Sequence, residues 1–116
     1  METKTGLEIR DKGDIAVVAF THSCISDVEE ISNASAQLKN YVQQNRPAKM
    51  IFDFAGVKFF SSQVLGLLLE VRAHLQADAG KVVVSGLSAQ LQRVFKITNL
   101  NKIFTFYPDA DAALSQ

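Results

Sequence analysis

Two adjacent serines, Ser61 and Ser62, have the residue type and position in this chain that best suit chemistry. They follow Phe59 and Phe60 and precede a periodic apolar stretch from Val64, so the pattern predicts a helix that begins at hydroxyl residues. Such a hydroxyl can accept hydrogen bonds from the first helical turn, and the helix dipole favours an anion there. The residues alone indicate helix capping, and the fold would also tolerate a phosphate on either serine.

Four other side chains could take part in chemistry. His22 and Cys24 are two soft metal ligands, but zinc sites use three or four protein ligands, which favours simple loop packing. His74 follows Glu70 by four residues, and this spacing predicts a solvated ion pair across one helical turn. Asp53 interrupts an apolar run and is expected to accept hydrogen bonds from loop amides, with a functional carboxylate as the alternative.

The sequence lacks the motifs of nucleotide-binding and catalytic proteins. Neither GxGxxG nor GxxxxGK[ST] occurs, and Gly56 and Gly66 are better explained as a turn and a close helix contact. No set of acid, base and metal ligands can be assembled from the chain. We therefore expect no enzyme activity, no cofactor and no metal.

Alternating periods along the chain predict the elements that position these residues. Apolar runs predict strands at 7–10, 15–20, 48–54, 81–85 and 103–106, with the first two forming a hairpin and residues 21–26 an irregular loop. Helical periodicity predicts helices at 27–44, from the serines to about 77, from Ser88 to about 98, and a short one from Asp109. Asp27 or Ser26 is expected to cap the first helix, and residues 78–80 to end the second. The apolar face of the first helix is predicted to consist of Val28, Ile31, Ala34, Leu38, Tyr41 and Val42.

This order of elements predicts an α/β fold. After the hairpin, helices and strands alternate, which implies a single mixed, mainly parallel β-sheet with an N-terminal β-hairpin and about four α-helices. The 116 residues, 47% of them hydrophobic and 21% charged, suit a single domain over 1–116.

Charge and cysteine content indicate the class of partner and the compartment. Twelve basic and twelve acidic residues give a net charge of zero, which disfavours a nucleic-acid partner and suits a protein. Cys24 is the single cysteine, so an intrachain disulfide is excluded and a reducing compartment is expected. The first thirteen residues lack a signal-peptide core and no apolar run could span a bilayer, so we expect a cytoplasmic protein without membrane insertion.

Two long stretches resemble the STAS domain, the fold of bacterial anti-sigma factor antagonists. They are KMIFDFAGVKFFSSQVLGLLLEVRAHL and KVVVSGLSAQLQRVFKITNLNKIFTFYPDADAAL, and the resemblance extends from about Leu7 to Leu114. The family's switch motif reads approximately F-I-D-S-S-G-L-G and falls on FFSSQVLG, residues 59–66. Asp53 coincides with the aspartate of the family's preceding strand.

The motif implies a phosphorylation site at Ser62, the position of the family's phosphorylated serine. Ser61 replaces the motif's aspartate and becomes a second candidate acceptor, while Gln63 replaces its second serine. Val64 replaces its first glycine and is expected to crowd a kinase at the serine. The implied partner-binding residues surround the serines and include the nearby loop: Phe59, Phe60, Gln63, Val64, Ser23 and Ile25.

The resemblance also implies a function. In this family the unphosphorylated domain binds an anti-sigma factor that is also a serine kinase, phosphorylation breaks the complex, and a serine phosphatase restores it. We expect such a regulator here, as a monomer or weak dimer. One alternative is a non-phosphorylated STAS interaction module, such as a lipid-transport complex subunit or a signalling scaffold. Another is a small-molecule or nucleotide sensor, against which the missing phosphate loop counts.

Overall fold

The computed structural model of the protein describes residues 7–77 and 79–115. The predicted order of strands and helices is confirmed, with additions at two loops. The strands are β1 (Leu7–Lys12), β2 (Ile15–Phe20), β3 (Cys24–Ile25), β4 (Lys49–Asp53), β5 (Phe59–Phe60), β6 (Lys81–Ser85) and β7 (Thr105–Tyr107). The helices are α1 (Val28–Asn45), α2 (Ser62–Gln76), α3 (Ala89–Ile97) and α4 (Ala110–Leu114), with one 3-10 turn at Leu100–Lys102.

Five strands form the predicted mixed sheet, in the order β1-β2-β4-β6-β7. The first two pair antiparallel through the hairpin, and the other neighbours pair parallel. In the central register Val18 lies beside Phe52, and Phe52 beside Val84. The carboxyl ends of β4, β6 and β7 therefore meet at one edge of the sheet.

Helices cover both faces of this sheet, which explains why its strands are almost wholly apolar. Val18, Phe52 and Val84 belong to a large core with side chains of α1, α2 and α3. Their neighbours Val17 and Ile51 face the opposite side, where they form a smaller core with Val83 and Ala113 of α4. The buried Lys49 Nζ donates to the Ala113 carbonyl at 2.9 Å and so ties α4 to β4.

Three predicted helix starts are confirmed in atomic detail. The Asp27 carboxylate accepts from Glu30 N at 2.9 Å, the Ser88 hydroxyl from Leu91 N at 3.2 Å, and the Asp109 carboxylate from Ala112 N at 2.8 Å. Each side chain satisfies an amide that has no partner inside its own helix. The end of α1 before Pro47 is also confirmed, with Arg46 in the left-handed region at φ 43°.

Several local predictions are wrong. The loop at 21–26 contains β3, because its backbone pairs with that of β5. The last strand begins at Thr105 rather than 103, since the preceding backbone turns through the 3-10 segment. Val28 is 63% exposed and does not join the core face of α1. Of the predicted end of α2, residues 78–80, Asp78 lies outside the described residues.

The two glycines near the serines differ from each other. Gly56 has φ +83° and forms the predicted turn. Gly66 is exposed on α2, and a Cβ at this position would meet nothing within 4 Å. The predicted close helix contact at Gly66 is therefore wrong.

Candidate regulatory surface at the start of α2

The backbone before α2 is held by the loop that precedes α1. Strands β3 and β5 pair in parallel, with Cys24 beside Phe59 and Ile25 beside Phe60. On either side of this pairing, Lys58 N donates to Ser23 O at 2.7 Å and Ser61 N donates to Ile25 O at 2.9 Å. The predicted proximity of this loop to the two serines is thus confirmed.

Strand geometry separates the two phenylalanines. Successive side chains of a strand point to opposite sides, so Phe59 is 51% exposed while Phe60 is buried. The Phe60 ring centroid lies 5.5 Å from that of Phe54 and 6.1 Å from that of Phe95, inside the aromatic part of the core. Phe60 is therefore a core residue, and its predicted place on the contact surface is wrong.

Ser61 occupies the N-cap position of α2 but does not cap it. Its backbone is extended, at φ −81° and ψ 163°, and its side chain accepts no hydrogen bond from the first turn. Its Oγ is buried and has no hydrogen-bond partner among the described residues. The Ser61 hydroxyl therefore does not cap α2 as predicted. As the second candidate phosphate acceptor, it is not open to a kinase in this conformation.

Ser62 and Gln63 form the open part of the first turn. Both residues are exposed. Within residues 7–77 and 79–115, no acceptor pairs with the backbone N–H of either residue. Unpaired N–H groups and the positive end of the helix dipole lie together here, an arrangement that favours an anion.

Burial reduces the predicted contact surface further. Val64 is fully buried and Ile25 is 8% exposed, so both side chains pack in the core and are not surface contacts. The expected crowding of a kinase by Val64 is also wrong, because that side chain points away from solvent. Of the predicted site residues, the exposed ones are Ser23, Phe59, Ser62 and Gln63.

The sequence analysis also missed the exposure of one apolar residue, Val28, which is 63% exposed. Val28 is the first residue of α1 and lies three residues after Ile25 of β3. Periodicity groups it with Ile31 and Ala34, but periodicity does not show where the core ends. A capping aspartate at position 27 was the available signal, because it places Val28 at the exposed start of the helix.

Asp53 has the structural environment predicted for it. Its Oδ1 accepts from Ala55 N and from Ser85 Oγ, each at 3.2 Å, and so joins the ends of β4 and β6. Gly86, at φ +71°, passes close by, since a Cβ there would lie 2.7 Å from the same oxygen. The carboxylate therefore organises the edge of the sheet.

The two histidines and the cysteine all lie in exposed positions. His22 Nε2 lies 3.9 Å from Glu30 Oε1 and is about half exposed. Glu70 pairs with Lys39 of α1 at 2.6 Å, so the predicted pair with His74 is wrong. Within the described residues no group of three His, Cys, Asp or Glu side chains could hold a metal ion, and no helix is long and apolar enough to cross a membrane.

The family of the chain follows from its match to a family model. The model of the STAS domain matches residues 7–113, nearly the whole described chain. The chain belongs to the STAS domain family. The predicted resemblance is thereby confirmed, as is the α/β architecture.

Solved structures with the same fold carry related descriptions. An anti-sigma-factor antagonist (STAS) domain protein from Planctomyces limnophilus matches with a TM-score of 0.82 and 20% identity over 93% of each chain. An anti-sigma factor antagonist from Mycobacterium paratuberculosis matches with a TM-score of 0.75 and 25% identity, over 94% of this chain and 90% of that one. The Bacillus cell fate determinant SpoIIAA in its phosphorylated form matches at 0.72 and 18%, over 92% and 96%.

Proposed function

We propose that this STAS domain is a phosphorylation-switched binding protein of the anti-sigma factor antagonist type, without catalytic activity of its own. Unphosphorylated, it binds and sequesters an anti-sigma factor that is also a serine kinase. The kinase supplies the nucleotide and transfers a phosphate to Ser62, which ends the complex, and a serine phosphatase reverses the step. The setting is a bacterial cytoplasm, where this binding regulates transcription.

The observation that carries the proposal is the exposure of Ser62 at the uncapped start of α2. The residue is exposed, and the backbone amides of Ser62 and Gln63 have no acceptor among the described residues. A phosphate adds about 1.5 to 2 negative charges, which the N-terminus of a helix stabilises. The fold can therefore carry the modification without reorganisation.

The neighbouring surface explains how one phosphate would end binding. Phe59, half exposed, and the uncharged Gln63 lie beside Ser62. In a complex whose apolar interface covers this surface, the phosphate would have to leave water. That desolvation costs several kcal/mol, or about a thousandfold in affinity.

Phosphosite mapping tests the acceptor. The purified domain is incubated with ATP and an extract of its own cells, then digested and analysed by mass spectrometry. We expect one phosphate, on Ser62, that disappears in Ser62→Ala and persists in Ser61→Ala and Ser88→Ala. Phosphate on Ser61 alone would move the switch by one residue. No phosphate on either serine, with a control kinase substrate phosphorylated, would contradict the proposal.

A binding measurement tests the consequence of the charge. Once the kinase is identified, its affinity is measured for the parent, Ser62→Asp and Ser62→Asn. The two variants differ in charge and hardly in size, so a loss confined to Ser62→Asp assigns the effect to charge. Equal affinity of Ser62→Asp and the parent would contradict the switch.

A non-phosphorylated interaction module is the second candidate, favoured by the altered motif. Ser61 and Gln63 stand where the family's motif has an aspartate and a second serine. In that case Phe59 and its neighbours would bind a partner permanently, as in a lipid-transport complex or a signalling scaffold. A stable complex with no phosphate on either serine would support this candidate.

A further inference from the structure

A pocket of about 500 Å³ lies on the part of the molecule formed by α3 and β7. Its walls come from α3, from Leu87 after β6, and from Phe106 and Tyr107 of β7. Asp53, Ser61 and Ser62 are not among its lining residues. Its volume falls in the range of small-molecule sites, which is about 300–1,000 Å³.

The charge of this pocket differs from that of the whole chain. Arg93 and Lys96 lie on its α3 wall, both are exposed, and neither forms an ion pair within residues 7–77 and 79–115. Residues 79–108 contain four basic residues and no acidic one, although the chain is neutral overall. The first carboxylate after the pocket, that of Asp109, accepts a hydrogen bond from Ala112 N. The pocket thus combines two unpaired cations, which attract an anion.

The rest of the lining is suited to a ring. Phe106 is partly exposed there, and Phe95 lies beneath with its ring centroid 5.3 Å from that of Phe106, at an interplanar angle of 79°. Tyr107, the next residue of β7, packs against the smaller core on the other face of the sheet. Edge-to-face packing on a fully buried ring holds Phe106 in place. The Gln92 amide donates to Leu87 O at 3.2 Å, so it fixes the wall of the pocket.

We propose that this pocket binds a small planar organic anion, an aromatic carboxylate or an aromatic phosphate ester. The acid group lies between Arg93 and Lys96, and the ring packs against Phe106. This site does not depend on Ser62, because its lining and the start of α2 have no residue in common. A binding result at this pocket therefore neither supports nor contradicts the proposal for Ser62.

Titration of the full chain by two-dimensional 1H–15N NMR tests the proposal, with phenyl phosphate as the probe. We expect saturable shifts of the Leu87, Lys96 and Tyr107 amides, with half-saturation below about 10 mM. Benzyl alcohol, which keeps the ring without the charge, and inorganic phosphate, which keeps the charge without the ring, should each bind at least about tenfold more weakly.

Two double variants with the same net charge distinguish binding in the pocket from nonspecific electrostatic attraction. Arg93→Gln with Lys96→Gln should weaken phenyl phosphate about tenfold or more, whereas Lys81→Gln with Lys102→Gln, outside the lining, should change it less than about threefold. Unshifted amides elsewhere show that both variants are folded. Equal losses in the two variants, no saturation with the parent, or equal binding of inorganic phosphate would overturn the proposal.

Discussion

Three helices, α1, α3 and α4, begin at a side chain that accepts a hydrogen bond from the first turn, whereas α2 begins at one that does not. Asp27, Ser88 and Asp109 each accept from the amide three residues later, over 2.8–3.2 Å. Ser61 occupies the corresponding position with similar backbone angles to Ser88, yet its hydroxyl is buried and, among the described residues, unpartnered.

The two serines also differ in their surroundings. Ser61 is fixed by its own backbone bond to Ile25 and sits next to the buried Phe60, while Ser88 follows a turn at Gly86. The same residue type thus caps one helix and not another. Because α2 has no side-chain cap, its first amides remain available to an anion, which supports Ser62 as the position for a phosphate.

The largest effect is expected at Gly86, in the turn between β6 and α3. Gly86→Ala should destabilise the protein by about 3 kcal/mol, because φ is +71° and the new Cβ would approach Asp53 Oδ1 at 2.7 Å and Ala55 N at 2.8 Å. Urea unfolding followed by circular dichroism measures this loss. A change below about 1 kcal/mol would show that this turn is not rigid.

Alanine at the caps tests the comparison itself. Asp27→Ala and Ser88→Ala should each cost about 1 kcal/mol, because each removes an accepted hydrogen bond. Ser61→Ala should be neutral or slightly stabilising, since it removes a buried hydroxyl without a partner. Chemical denaturation of the three variants under one condition gives the values. A loss in Ser61→Ala as large as that in Ser88→Ala would erase the distinction.

Gly66 gives a third test, one helical turn after Ser62. Gly66→Ala should stabilise the protein by about 0.5–1 kcal/mol, because the position is exposed, within α2 and free of any contact that a Cβ would disturb. The thermal midpoint should rise accordingly. Destabilisation would show that the backbone of α2 needs glycine here and would restore the close contact predicted from the sequence.

The smallest effect concerns charge at the start of α2. Ser62→Asp should stabilise the protein by about 0.3–1 kcal/mol, and Ser62→Lys should destabilise it by a similar amount, through the helix dipole. Unfolding at low and high salt measures both, with Ser62→Asn as the neutral control. Salt should reduce the difference between Asp and Lys, and an unchanged difference would indicate a cause other than the dipole.

Much of the fold could be predicted from local patterns. Apolar runs and helical periodicity gave the order of the elements, and Asp27, Ser88 and Asp109 marked three helix starts correctly. These features depend on residues within one or two turns of each other, which is the range that a sequence pattern reports. The family motif likewise placed Ser62 at the start of α2.

Only the tertiary structure decided which residues of that motif are accessible. The sequence could not show which of Phe59 and Phe60, or of the Ser61 and Ser62 hydroxyls, is buried, because their exposure depends on how β5 pairs with β3 and on the core beneath it. Glu70 likewise pairs with Lys39 of α1 rather than with His74 on its own helix. The sequence by itself determined the elements and the motif, while contacts between residues distant in the chain determined which side chains face solvent.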